Sequence, residues 1–140
     1  MSEASRKLNI LLVEDDRVDV MNVERAFQQA RIANPLWVVG DGIEALEKLR
    51  AGEVPRDDLL ILLDLNLPRM DGIEFLQRLR ADDELARTPV VILTTSDAES
   101  DRTRAYDFNV AGYIVKPVTF GSFVDAVVTL NKYWMLVEMP

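Results

Sequence analysis

Asp64 ends an unbroken apolar run, Leu59-Leu60-Ile61-Leu62-Leu63, after which the chain turns through Asn66, Pro68 and Gly72. Two other apolar runs also finish in polar chemistry: Ile10 to Val13 in Glu14-Asp15-Asp16, and Val90 to Leu93 in Thr94-Thr95. Tyr113 to Val115 leads into Lys116-Pro117. Three carboxylates in one pocket repel, and each raises the pKa of its neighbours unless a cation joins them. Oxygen donors suit a hard divalent ion, and Mg²⁺ usually keeps waters and a phosphate oxygen in its octahedron. The chain has neither histidine nor cysteine, so zinc and copper are poor candidates. Mg²⁺ is therefore the expected ion, with Mn²⁺ as a substitute. An aspartate can attack phosphorus and form an aspartyl-phosphate. The ion and a lysine would stabilise charge on the transferring phosphoryl group, and the Thr94 hydroxyl could bond one of its oxygens.

Each of these residues has an ordinary reading when taken singly. An acidic run before a helix caps it and favours its dipole, and aspartates often open turns. The combination demands elements that deliver all four polar ends to one place. Apolar runs bounded by turn residues read as buried parallel strands, and they alternate here with helical patterns from end to end. The strands are Leu8 to Val13, Leu36 to Val39, Leu59 to Leu63, Val90 to Leu93 and Tyr113 to Val115.

Between them, Val20, Val23, Phe27 and Ala30 form the apolar face of a first helix, which Asp16 or Asp19 can cap. Ile43, Leu46 and Leu49 mark a second helix with Gly52 past its end, and Ile73, Leu76 and Leu79 a third. Residues 98–108 make a more polar fourth, and Phe120, Phe123, Val124, Val127 and Leu130 line a fifth. Five strands and five helices in alternation predict an α/β doubly wound (βα)5 sandwich of flavodoxin-like type. Right-handed crossovers leave few arrangements, and the parallel order 2-1-3-4-5, the one expected here, would set the ends of the first and third strands side by side at the switch point. Glu14, Asp15 and Asp64 would then share a crevice.

The 140 residues are 49% hydrophobic, enough for one domain with a real core. A net charge of −8 and no Lys/Arg run argue against direct nucleic-acid binding. The absence of histidine excludes His-based triads and zincin-type sites, so any phosphohistidine donor would be a partner. No apolar run approaches a membrane span, Met1 to Lys7 lacks the apolar stretch of a signal peptide, and no disulfide can form. A cytoplasmic location without membrane contact is expected.

Four segments, in order, resemble the receiver domain of two-component response regulators. They are Leu11-Leu12-Val13-Glu14-Asp15-Asp16; Leu63-Asp64-Leu65-Asn66-Leu67-Pro68-Arg69-Met70-Asp71-Gly72; Pro89-Val90-Val91-Ile92-Leu93-Thr94; and Ala111-Gly112-Tyr113-Ile114-Val115-Lys116-Pro117. The resemblance spans nearly the whole chain. It implies that Asp64 is phosphorylated by a histidine kinase or phosphotransfer protein, with Glu14, Asp15, Asp64 and the backbone carbonyl of Asn66 holding Mg²⁺. Lys116 would pair with the phosphoryl group, Thr94 would move toward it, and Tyr113 would take the aromatic switch position. It further implies a cis Lys116–Pro117 bond, and an output surface on the fourth helix, fifth strand and fifth helix. Asn66 and Ser96 stand where the family tunes dephosphorylation, and neither is acidic, which implies slow self-hydrolysis. No effector module is expected beyond this domain, and the chain is expected to signal through contacts alone rather than as an enzyme.

The receiver is expected to occupy residues 1–133, followed by an apolar extension at 134–140. Trp134, Met135, Leu136 and Val137 either fold back on the domain or form a dimer arm. The Tyr133-Trp134 pair, together with Thr94-Thr95-Ser96, is similar to the small regulators paired with bacterial and cyanobacterial phytochromes. That likeness implies a phytochrome-type kinase and a homodimer. Three other readings compete. A haloacid-dehalogenase-like phosphatase also uses a strand-end aspartate and Mg²⁺, but wants a second acid where Asn66 stands. A flavodoxin-like cofactor binder needs a phosphate loop that Glu14-Asp15-Asp16 would repel. A receiver used only for docking would work without phosphorylation.

Overall fold

In the computed structural model, residues 8–136 are described, with side chains as far as residue 134. Five strands, β1 (Asn9–Val13), β2 (Leu36–Val39), β3 (Leu59–Leu63), β4 (Val90–Thr94) and β5 (Gly112–Val115), pair in parallel in the order β2-β1-β3-β4-β5. Five helices alternate with them: α1 (Arg17–Gln29), α2 (Gly42–Ala51), α3 (Gly72–Ala81), α4 (Glu99–Asp107) and α5 (Phe120–Leu136). This is the predicted (βα)5 arrangement. Among the described residues no helix is long and apolar enough to cross a membrane.

The central strands are apolar on both faces because each face is covered. Leu11, Val13, Leu59, Ile61, Leu63, Val90 and Ile92 pack with Ala45, Leu46 and Leu49 of α2 and Ile73, Phe75, Leu76 and Leu79 of α3. The alternate residues Ile10, Leu12, Leu60, Leu62, Val91 and Leu93 pack with Val23 and Phe27 of α1 and Phe123, Val124 and Val127 of α5. The period of two along each strand therefore fills two cores, one on either side of the sheet. α4 contributes only Ala105 to its core, in keeping with its polar sequence.

Aspartates start three helices. Asp16 accepts from the Val18 and Asp19 amides, Asp41 from Glu44, and Asp71 from Glu74. Of the two caps considered for α1, Asp16 serves and Asp19 is left for other work. Gly52 closes α2 with φ 76°, a left-handed position that glycine adopts without a Cβ penalty. The Arg80 guanidinium joins the end of α3 to two loops, donating to the carbonyls of Ala86, Thr88, Phe108 and Asn109.

No peptide bond is cis among the described residues, so Lys116–Pro117 is trans, contrary to the sequence-based expectation and in line with the trans preference X–Pro bonds retain. α5 continues past residue 133 to Leu136. Trp134 is buried in the α1–α5 core beside Leu8, Ile10 and Phe27. The side chains of Met135 and Leu136, and all of Val137, lie outside the described residues.

Candidate functional site

The register of the sheet places the polar residues. Val13 pairs with Leu63, Leu63 with Ile92, and Thr94 with Val115. One residue farther on, the Asp64 amide bonds the Val13 carbonyl at 3.1 Å, and the Lys116 amide bonds Thr94 at 2.7 Å. The Glu14 amide bonds Val39 at 3.0 Å. Glu14, Asp64, Thr94 and Lys116 thus emerge at the carboxyl edge of four neighbouring strands, where open α/β sheets build their sites.

Carboxylate oxygens of Glu14, Asp15 and Asp64 all lie within 4.8 Å of one another. Glu14 and Asp64 are buried, with exposures of 3% and 6%, whereas Asp15 is exposed. Two buried acids and one open to solvent form an all-oxygen site that leaves positions for water, as Mg²⁺ and Mn²⁺ require. Asn66, whose backbone carbonyl is the fourth expected ligand, follows two residues after Asp64 and donates its amide to Asp64 Oδ1 at 3.2 Å.

Thr94, fully buried, donates its hydroxyl to Asp64 Oδ1 at 2.8 Å. The Lys116 ammonium lies 2.5 Å from Glu14 Oε1, 2.7 Å from Asp19 Oδ2 and 3.4 Å from Asp64 Oδ2. Burial pushes the Glu14 carboxyl up to about 7 even though Lys116 pulls it down, and the charge of Asp64 adds to the rise. Burial alone would lower the Lys116 pKa, but its hydrogen bonds to Asp19 and Glu14 outweigh this and hold it above the ordinary lysine range. Lys116 therefore stays cationic, and Glu14 is the group that titrates near neutrality.

Tyr113 extends its hydroxyl to the Ser96 carbonyl at 2.8 Å, and the Arg102 guanidinium stands 5.1 Å from the centre of its ring. Ser96 donates its own hydroxyl to Asp101 at 2.6 Å. The Thr94 hydroxyl accepts from the Ser96 amide at 3.3 Å. A short chain of bonds thus runs from Asp64 through Thr94 and Ser96 to Tyr113.

The structure brings together Glu14, Asp15, Asp64, Thr94 and Lys116, all singled out from the sequence. It adds Asp19, which sequence reasoning treated only as a possible cap. The available signal was one more acid, in the first turn of α1, three residues beyond the Glu14-Asp15-Asp16 run.

Residues 10–128 match the family model described as response regulator receiver domain. The probable methanogenesis regulatory protein FilR2 of Methanothrix harundinacea is 37% identical over 95% of this chain and 87% of its own length. The response regulator Rcp1 of Synechocystis is 37% identical over 90% of this chain and 88% of its own. A crystal structure of Rcp1 in its Mn²⁺-bound form superposes with a TM-score of 0.82, covering 96% of this chain and 99% of the other. The phosphorylated cyanobacterial phytochrome response regulator RcpA gives a TM-score of 0.85 at 35% identity, with the same coverage. The acidic trio fits the divalent-metal site of receiver domains, and a Mn²⁺-bound relative agrees with its oxygen-only chemistry. By fold, motif order and sequence, the chain belongs to the receiver-domain family of two-component response regulators.

Proposed function

We propose that Asp64 accepts a phosphoryl group from a histidine kinase or phosphotransfer protein, and that the chain then signals through altered protein contacts. Receiver domains generally act as non-enzymatic phosphoryl acceptors in two-component signalling. The observation that carries the assignment to Asp64 is convergence on one buried carboxylate. Thr94 bonds it, Lys116 adjoins it, and Glu14 and Asp15 complete an oxygen site beside it.

A carboxylate oxygen of Asp64 attacks phosphorus, forming the O–P bond as the P–N bond to the donor imidazole breaks and its electron pair returns to nitrogen. Glu14, Asp15, Asp64 and the Asn66 carbonyl would hold a divalent cation, whose charge would neutralise that of the phosphoryl oxygens. Lys116 adds a fixed positive charge, and Thr94 supplies a hydroxyl where new acceptor oxygens arise. The product carries about 1.5 to 2 negative charges and three acceptor oxygens, which bias the Thr94–Ser96–Tyr113 chain and the α4–β5–α5 surface it borders.

Incubation with acetyl phosphate and Mg²⁺ is expected to add one phosphoryl group by intact mass. The adduct should be absent in Asp64→Asn and in an EDTA control. Failure to form it in the wild-type chain, with no spectroscopic response to beryllofluoride, would favour a phosphorylation-independent docking module.

The likeness to RcpA supports a phytochrome-type kinase as donor. A homodimer through the α4–β5–α5 face is supported by an open groove of about 700 Å³ lined by Tyr106, Tyr113, Asp125 and Tyr133. Tyr106 and Tyr133 are each about half exposed. Sedimentation should show a dimer that Tyr133→Glu breaks; a monomer at high protein concentration, phosphorylated or not, would rule this out.

A further inference from the structure

The Lys116 ammonium has three N–H donors and three carboxylates around it, and they are not equally close. Asp19 Oδ2 lies 2.7 Å away, whereas Asp64 Oδ2 lies 3.4 Å away. Asp19 comes from α1 and belongs to none of the strand ends that form the acidic trio. Asp16 is the N-cap of α1 and accepts the Asp19 amide, so the cap does not require the Asp19 carboxylate. At 30% side-chain exposure it is the most open of the three acids on the ammonium.

The three partners have different fates during the reaction proposed above, on which this inference rests. Glu14 is one of the expected metal ligands, and Asp64 becomes the phosphoryl carrier. Asp19 takes neither role. It therefore competes with the incoming phosphoryl oxygens for the same ammonium, from the side of α1.

We infer that Asp19 is a positioning residue that draws Lys116 toward α1 and away from Asp64, and so restrains phosphoryl acceptance. Catalysis depends on charge that is closer in the transition state than in the resting state. A carboxylate 2.7 Å from the ammonium lowers its availability to the phosphoryl group. Neutralising that carboxylate leaves the ammonium anchored by Glu14 and free to lean toward Asp64, so it is released without being set loose.

The test compares Asp19→Asn with wild type in a cycle with Lys116→Met, which keeps the length of the side chain and removes its charge. Two quantities are measured: the rate of adduct formation from acetyl phosphate with Mg²⁺, and the affinity for beryllofluoride with Mg²⁺ by calorimetry. Asp19→Asn should raise both about fivefold in the wild-type background, the order expected for one charge-assisted contact. In the Lys116→Met background it should change neither by more than about twofold.

Equal gains in both backgrounds would mean that Asp19 acts only through its field at the metal and phosphoryl group. A loss in the single variant would mean that Asp19 preorganises the lysine for catalysis. Either result overturns the inference. Adduct formation by the wild-type chain tests the acceptor assignment separately, and circular dichroism checks the fold of each variant.

Discussion

At the residue scale the site is governed by one ammonium among several carboxylates. Glu14, buried at the end of β1, is held at about 7 against an ordinary 4.5, while Lys116 stays charged well above neutrality. Between those two values the folded, metal-free chain binds a proton that an unfolded glutamate would lack. The contribution of this group to stability is full below 4.5 and is lost as pH rises through about 7. Metal binding through Glu14, as proposed, must displace that proton. Mg²⁺ affinity should therefore weaken as pH falls below 7, approaching about tenfold per unit, when followed by calorimetry. Glu14→Gln should bind weakly and with little pH dependence over the same range. An affinity that stays constant between about pH 8 and 6 in the wild-type chain would show that Glu14 is not among the ligands. Asp64, Glu14 and Asp15 were legible because a strand-end acid after an apolar run is conspicuous. Asp19 was not, because an acid in the first turn of a helix already has a sufficient local explanation as cap or dipole partner.

Elements hold these residues to tolerances that single contacts reveal. Gly72 begins α3 directly behind Asp64. A Cβ built there would stand 2.6 Å from the Asp64 carbonyl and 2.7 Å from Leu65 Cα, both backbone positions that cannot rotate aside. Gly72→Ala should cost about 1–3 kcal/mol in denaturant unfolding and slow adduct formation, since β3 and α3 must separate. Unchanged stability would mean that the β3–α3 loop adapts freely. The same loop is tied across to Asp41 by the Arg69 guanidinium, with Arg69 at φ 61°. Periodicity made α1, α2 and α3 readable because each turns a clear apolar face to a core. α4 was the weakest pattern, and its single buried residue explains why. The end of α5 was harder for the opposite reason: Tyr133 and Trp134 are adjacent and aromatic, yet Tyr133 is half exposed and Trp134 buried. Helical geometry points neighbouring residues in different directions, and composition alone does not say which one faces the core.

For the whole molecule, topology does what no local motif could. The order β2-β1-β3-β4-β5 sets β1 beside β3 and β3 beside β4. Residues 50 apart in sequence, such as Glu14 and Asp64, consequently share a crevice, and Lys116 joins them from β5. Alternating strands and helices with right-handed crossovers narrowed the possible orders to a few that include this one, and covered faces explain why the strands are continuously apolar. Side-chain hydrogen bonding was beyond the reach of pattern: the sequence offered Tyr113 and Ser96, but not the bond between them.

The central claim is that Asp64 itself forms the acyl phosphate. Reduction of the phosphorylated chain with borohydride, followed by peptide mapping, converts a phosphorylated aspartate to homoserine and so marks the acceptor. Homoserine at position 64, dependent on Mg²⁺ and on prior phosphorylation, is the predicted result. Homoserine at Asp15 or Asp16 instead, with Asp64 intact, would contradict it.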